Sequence, residues 1–394
     1  IGQDMEKIKV ALMTQKKYDV AQIKNVMLQV LGYLGITDTL VKTGEKVLVK
    51  PNMAFGKHHT AHICTHPAVV RALCEILSDM GAKVSIGDSP GFGGFIAAAK
   101  KSGYNEYLEG FELVEFKEKV PLHRDSNKIF KHFTVARQIL EADKIINVAK
   151  FKTHGSMLLT LAVKNMFGSI VGMEKAEYHL KAGKDQLMFA SYLVELFYTL
   201  SPALNVIDGI WGMEGNGPVS GIGREIGFIG MSQEATALDI TCASIIGFPY
   251  EKLPTYEAAK NLGYGCTDYQ EIEFPGKKPK DFLVKDYVFS IKPDMAYSRM
   301  IRIFSRLFPI QPKINHKNCR LCRVCEKICP VKTISLEKNR MKIHYAKCIQ
   351  CFCCQEFCEF DAIRPHKPFL RRFFSGMAAA FALISFMKKK RKQI

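Results

Sequence analysis

Seven short runs rich in Val, Ile, Leu and Phe punctuate residues 1–231: IKVALMT (8–14), EKVLVKP (45–51), KVSIGD (83–88), FELVEF (111–116), KIINVAKF (144–151), ALNVIDGI (203–210) and IGFIGM (226–231). Their length and composition predict strands. Helical stretches lie between them. In one of these, residues 67–80, Pro67 suits the first turn and Gly81 the C-terminal cap. Apolar strands separated by helices predict an α/β domain over residues 1–275, with a largely parallel or mixed sheet and flanking helices.

Ligands of such sheets bind outside the carboxyl ends of the strands. Here those ends are polar: Lys50-Pro51-Asn52, then Gly87-Asp88-Ser89-Pro90-Gly91, then Lys150-Phe151-Lys152-Thr153-His154-Gly155 with Lys164-Asn165 beyond, then Asp208-Gly209 and Met213-Glu214-Gly215-Asn216. The set suits a small anionic ligand held by Lys50, Lys152 and Lys164. Asp88, His154, Asp208 and Glu214 are candidates for proton transfer or a metal, and Asn52, Gly91, Asn165 and Asn216 for binding. Structural roles compete at each position, since Asp88 and Asp208 can shape turns and the glycines can supply positive φ. No G-x-x-x-x-G-K-[ST] occurs, and Gly91-Phe92-Gly93-Gly94 does not meet G-x-G-x-x-G, so no NAD or ATP site follows. The loop from Lys57 to His66 holds four histidines. It reads as an exposed polar loop in which His66 caps the helix starting at Pro67, with a transition-metal site as the competing reading.

Eight of the 13 cysteines change the picture. Cys319, Cys322, Cys325 and Cys329 are followed 29 positions later by Cys348, Cys351, Cys354 and Cys358, and Ile334 and Ile363 keep the same offset. The segment is an internal duplication. In the spacing C-x2-C-x2-C-x3-C-P three thiolates wrap one cube and the fourth reaches the other. The expected ligand sets are therefore Cys319, Cys322, Cys325 and Cys358 for one [4Fe–4S] cluster, and Cys348, Cys351, Cys354 and Cys329 for a second. Structural zinc prefers paired C-x2-C knuckles, and disulfides at this spacing suit a secreted chain. Glu359 replaces the proline expected in the second copy, and Cys353 reads as a bystander between two ligands. The segment 314–366 resembles the bacterial two-cluster ferredoxin module, a small α+β dicluster domain that carries single electrons. Such clusters and scattered unpaired cysteines imply a reducing, cytoplasmic and oxygen-poor setting.

The net charge of +18 is unevenly placed. Residues 1–275 balance at −1, residues 276–320 carry +8 and residues 362–394 carry +9. In the basic linker 276–313, MAYSRMIRIFSRLF (295–308) sets Arg299, Arg302 and Arg306 on one face of an amphipathic helix. In the tail 367–394, FFSGMAAAFALISFM ends on Lys388–Lys392. This nearly continuous apolar run of 15 residues would make about 22 Å of helix, short of a hydrocarbon core near 30 Å. These features predict peripheral association with an anionic membrane surface, at the inner face of the cell membrane. Nucleic acid is the less favoured partner.

The motifs VLVKPNM (47–53), THPAVVRAL (65–73), GDSPG (87–91), NVAKFKTHG (147–155), AVKNMFG (162–168), KAEYH (175–179), DGIWGMEGNGPVSG (208–221) and ALDITCASIIGF (237–248) together resemble the DUF362 family. The resemblance implies an iron–sulfur redox protein in which a DUF362 domain is joined to a two-cluster ferredoxin domain, and it names no reaction. The expected function is an oxidoreductase whose clusters take electrons from a donor protein and pass them to the crevice ligand. The alternatives are an electron carrier or assembly protein for a membrane partner, and a non-redox enzyme with structural clusters.

Overall fold

All seven predicted runs enter one eight-stranded sheet. The computed structural model describes residues 7–54, 56–91, 94–172, 174–290, 309–366 and 368, so the helix expected at 295–308 and the tail at 373–387 lie outside the described residues. The strands in chain order are β1 (Ile8–Lys9), β2 (Ala11–Thr14), β3 (Lys46–Lys50), β4 (Lys83–Asp88), β5 (Glu112–Glu115), β6 (Lys119–His123), β7 (His132–Ala136), β8 (Lys144–His154), β9 (Leu158–Thr160), β10 (Leu204–Asn216) and β11 (Ser220–Ser232). The sheet runs β2-β11-β10-β8-β3-β4-β5, with β9 paired to β8. The stretch from β10 to β5 is parallel, whereas β11 and β2 add antiparallel pairings at the other edge.

Residues alternate between two apolar layers, as the two-residue strand period requires. Val47, Val49, Ile146, Val148 and Val206 pack under the helices Val20–Leu34 and Pro67–Asp79. Leu48, Ala149, Phe151 and Ile207 face the opposite layer, built on Gln186–Leu200 and Ala235–Ile245. His66 caps Pro67–Asp79, its Nδ1 accepting from the Ala68 amide.

From β3 the chain moves outward to β4 and β5, then returns to place β8 on the other side of β3. That reversal makes the β3/β8 boundary the topological switch point, where the carboxyl ends open a crevice.

The cysteine-rich segment forms a smaller unit on this edge. It holds β13 (Gln311–Ile314) paired with β16 (Ile363–His366), and the hairpin β14 (Ile334–Glu337) to β15 (Arg340–Ile343). The two-residue strand β12 (Ile272–Glu273) precedes it and pairs with β1. Two short helices, Val324–Ile328 and Cys353–Glu356, begin at equivalent positions of the repeat. The duplication extends to the backbone. Leu321 and Gln350 (φ 56° and 59°), Arg323 and Phe352 (60° and 61°), and Lys332 and Asp361 (48° and 49°) are pairs at the 29-residue offset, all left-handed.

Candidate functional site

Lys50, the last residue of β3, is wholly buried, with its Nζ 2.8 Å from Asp88 Oδ1 at the end of β4. Lys50 also donates to the Asn165 carbonyl at 2.6 Å, and Asp88 Oδ2 accepts from the Met53 amide at 2.9 Å. Gly168 caps the pair so closely that a Cβ there would stand 2.0 Å from Asp88 Oδ1 and 2.5 Å from Lys50 Nζ. Lys50 is thus committed to Asp88 and sets the floor of the crevice.

Lys152 projects from β8 and donates to Asn52 Oδ1 and to the Ile63 carbonyl, both at 2.8 Å. Asn52 then donates to Asn165 Oδ1, and Asn165 to Asn147 Oδ1, each at 2.8 Å. This chain of amides fixes the crevice wall and leaves each member satisfied. Burial pushes the Lys152 ammonium down to about 7. Lys175, donating to the Ser89 carbonyl at 2.6 Å and to its Oγ at 3.0 Å, is likewise lowered by burial to about 7.

His154 ends β8. Its Nδ1 accepts from the Ser156 and Met157 amides, both at 3.1 Å, so that nitrogen carries no proton. Nε2 therefore bears the hydrogen and meets Glu356 Oε1 at 2.7 Å. Burial lowers His154 to about 4, which keeps the ring neutral. Burial alone would raise Glu356, but His154 and Lys164 together hold its carboxyl well below the usual range. Lys164 is lowered by burial, and among the described residues it makes no hydrogen bond or ion pair.

These groups line a crevice of about 100 Å³ together with Thr160, His179, Phe167, Val219, Ile328, Cys353 and Phe357. Thr160 is 3% exposed, and its Oγ1 has no hydrogen-bond partner among the described residues. A buried hydroxyl without a protein partner is left to bond solvent or a ligand atom in the crevice. With Asp88 neutralised by Lys50, the three lysines Lys152, Lys164 and Lys175 face one carboxylate, Glu356. The arrangement suits an anion.

Of the residues expected at the strand ends, the crevice brings together Asn52, Asp88, Gly91, Lys152, His154, Lys164 and Asn165. Lys50 lies beneath it. Asp208, Glu214 and Asn216 lie elsewhere, because β10 runs on to Asn216 instead of ending near Ile210. Asp208 pairs across the sheet with Lys150 at 2.8 Å and accepts from Tyr18 at 3.0 Å and from the His66 amide at 2.9 Å. Glu214 accepts from the Val288 amide at 3.1 Å, with Arg224 at 4.0 Å. Asn216 donates to Asp361 Oδ1 at 2.6 Å and so grips the cysteine-rich unit. Gly91 makes room for the same unit, since a Cβ there would stand 2.5 Å from the Phe357 ring. The crevice also uses Thr160, Lys175, His179 and Glu356, which the strand-end reading missed. Lys175 and His179, four apart on the helix Glu174–Ala182, share one face.

Cys319, Cys322, Cys325 and Cys358 line one cavity. Cys329, Cys348, Cys351 and Cys354, with Cys353, line a second. The Thr333 amide donates to Cys329 Sγ and the Ala362 amide to Cys358 Sγ, both at 3.3 Å, again at the 29-residue offset. Among the described residues no group of three His, Cys, Asp or Glu side chains is placed to hold a single metal ion. In the histidine loop, His62 stacks on Trp211 at 5.0 Å and His66 on Tyr18 at 3.6 Å.

Fold and crevice together describe a mixed α/β protein with a cation-rich site at its sheet's switch point. The chain belongs to the DUF362 family, a domain of unknown function whose profile matches residues 47–244. It is 32% identical over 278 residues to the thylakoid-associated protein sll1697 of Synechocystis sp. strain PCC 6803, covering 71% of this chain and 86% of that protein. Among solved structures it is similar to the lactate racemase apoprotein of Thermoanaerobacterium thermosaccharolyticum, with a TM-score of 0.40 and 12% identity over 62% of this chain and 59% of that one. A Thermotoga maritima protein superposes with a TM-score of 0.33 and 14% identity, over 51% of this chain and 52% of that one. The chain thus spans just over half the length of either solved neighbour. Among the described residues no helix is long and apolar enough to cross a membrane.

Proposed function

We propose that this DUF362 protein is an iron–sulfur oxidoreductase acting on a small anionic ligand in the crevice, with residues 314–366 serving as a two-cluster ferredoxin module docked on the α/β body of residues 1–275. Cys319, Cys322, Cys325 and Cys358 would hold one [4Fe–4S] cluster, and Cys329, Cys348, Cys351 and Cys354 the other. The fit rests on two cavities, each lined by the four expected thiols (Cys353 joins the second), with an amide donor to sulfur and matching left-handed turns in both halves. Bound clusters would supply single electrons at low potential.

The observation that carries the reading is the position of the helix Cys353–Glu356. Cys354 faces a cysteine cavity, Glu356 faces the crevice, and Cys353 lines both. The residues around the crevice have separable tasks. Lys152, Lys164 and Lys175 bind the anion, Thr160 donates its free hydroxyl, and Asn52 and Asn165 orient Lys152. His154, held as the Nε2–H tautomer against Glu356, positions that carboxylate at the crevice wall, and the Lys152 ammonium, lowered to about 7, is the group placed to give a proton to the ligand. The electron donor is a one-electron carrier protein. The basic segments 276–313 and 367–394 would bring the protein to an anionic membrane surface, a location supported by the thylakoid-associated relative.

The test is turnover of the crevice ligand, once it is identified from anaerobically purified protein, in Lys152→Ala and His154→Phe variants. Loss of turnover with the cluster absorbance intact is expected. Wild-type turnover in both variants would refute the assignment of the chemistry to this crevice.

A further inference from the structure

The crevice shares a wall with each cysteine cavity, and the two walls stand one helical turn apart. Cys353 lines both the crevice and the cavity of Cys329, Cys348, Cys351 and Cys354. Phe357, four residues on, lines both the crevice and the cavity of Cys319, Cys322, Cys325 and Cys358. Ile328, the counterpart of Phe357 at the 29-residue offset, lines the crevice as well. The repeat therefore presents its two halves side by side to the crevice, not one behind the other.

This presentation is fixed by packing and hydrogen bonds. Ile328, Cys353 and Phe357 belong to the apolar layer of the α/β body, and the ring of Phe357 lies so close to Gly91 that a Cβ there would force the ring to shift. Gln355, between the two walls, donates to Asn216 Oδ1 at 2.7 Å and to the Gly217 carbonyl at 2.8 Å. Ser220 donates to the Cys358 carbonyl at 2.8 Å.

We propose that the two cluster sites serve the crevice in parallel, one across Cys353 and the other across Phe357. The inference rests on the reading of the eight cysteines as cluster ligands and of the crevice as the ligand site. Electron tunnelling falls steeply with distance, and each path here crosses a single side chain. A ligand in the crevice is reached from either half of the repeat without passage through the other. The same geometry makes a charge in the crevice act on both cluster sites, since Coulomb energy falls with separation and rises in a dry interior.

Lys164 supplies the probe. Its ammonium lies in the crevice and feels both Glu356 and Cys353, yet it has no ion-pair partner to strand among the described residues. Redox titration of the full-length, anaerobically purified protein, followed by EPR, reads both midpoint potentials. Lys164→Gln removes a positive charge and makes an added electron less favourable, so both potentials are expected to fall. Lys164→Arg keeps them at the wild-type values, as does Lys260→Gln on the exposed side of the helix Pro254–Leu262. A shift of one potential alone, or of neither, overturns the parallel arrangement while leaving the cluster assignment standing. Protein without iron and acid-labile sulfide overturns the assignment and the inference together.

Discussion

Anion affinity in the crevice should fall steeply between pH 6 and pH 8. Lys152 and Lys175 both titrate near 7, because burial disfavours their charged forms and neither faces a carboxylate at ion-pairing distance. An anion binds the ammonium forms. With each group centred on 7, the protonated fraction is about nine-tenths at pH 6 and about one-tenth at pH 8. Affinity then drops about tenfold per lysine and about a hundredfold for the two, each tenfold being about 1.4 kcal/mol. Sulfate is the suitable probe, since its charge is constant across this range, and isothermal titration calorimetry at half-unit pH steps is the assay. Proton uptake on binding should appear as a dependence of the enthalpy on the buffer's ionisation heat. Lys175→Gln should halve the logarithmic slope. The ligand-free protein should move the opposite way. The unfolded chain keeps both lysine protons to about pH 10, whereas the folded chain releases them near 7, so stability rises with pH above 7. A sulfate affinity that is flat across the range, or that rises with pH, would refute the assignment of these lysines to an anion site.

Other consequences follow from close contacts. Gly168→Ala drives a methyl between Lys50 and Asp88, and breaking a buried pair costs about 3–5 kcal/mol. Chemical denaturation should show that loss in the wild type and little of it in a Lys50→Met/Asp88→Leu background. Gly91→Ala should displace Phe357 and weaken sulfate binding, and Phe357→Leu should partly restore it, read by the same calorimetry. Cys358→Ser should lose iron from the site of Cys319, Cys322 and Cys325. Cys329→Ser should deplete the other site, and Mössbauer or EPR spectra of the two variants would then differ.

The sheet was legible because its strands are buried runs bounded by turns, and Leu48 between Val47 and Val49 shows the alternation that both layers need. Strand ends were less legible. Trp211–Asn216 mixes glycines with polar residues and looks like a loop, yet it pairs with Ser220–Glu225 and carries β10 past Asp208. The hairpin of β6 and β7 was missed because Pro121 and the alternating polar positions of Lys119–His123 mimic a loop. In the crevice, Lys152, His154 and Lys164 were visible at strand and helix junctions. Lys175 and His179 were visible only as a four-residue spacing inside KAEYH. Glu356 and Phe357 carried no local signal, since they reach the crevice only through docking of a unit some two hundred residues further along the chain. The repeat was the clearest feature of all, and its offset recurs in three pairs of left-handed residues and two amide–sulfur contacts.

Native mass spectrometry of the full chain, purified without oxygen and released gently from detergent, tests the central claim most directly. The account predicts a mass increment of two Fe4S4 units, with a further small anionic species that is lost in Lys152→Ala. Protein carrying zinc or no metal, or two clusters with no anion retained under saturating sulfate, would contradict it.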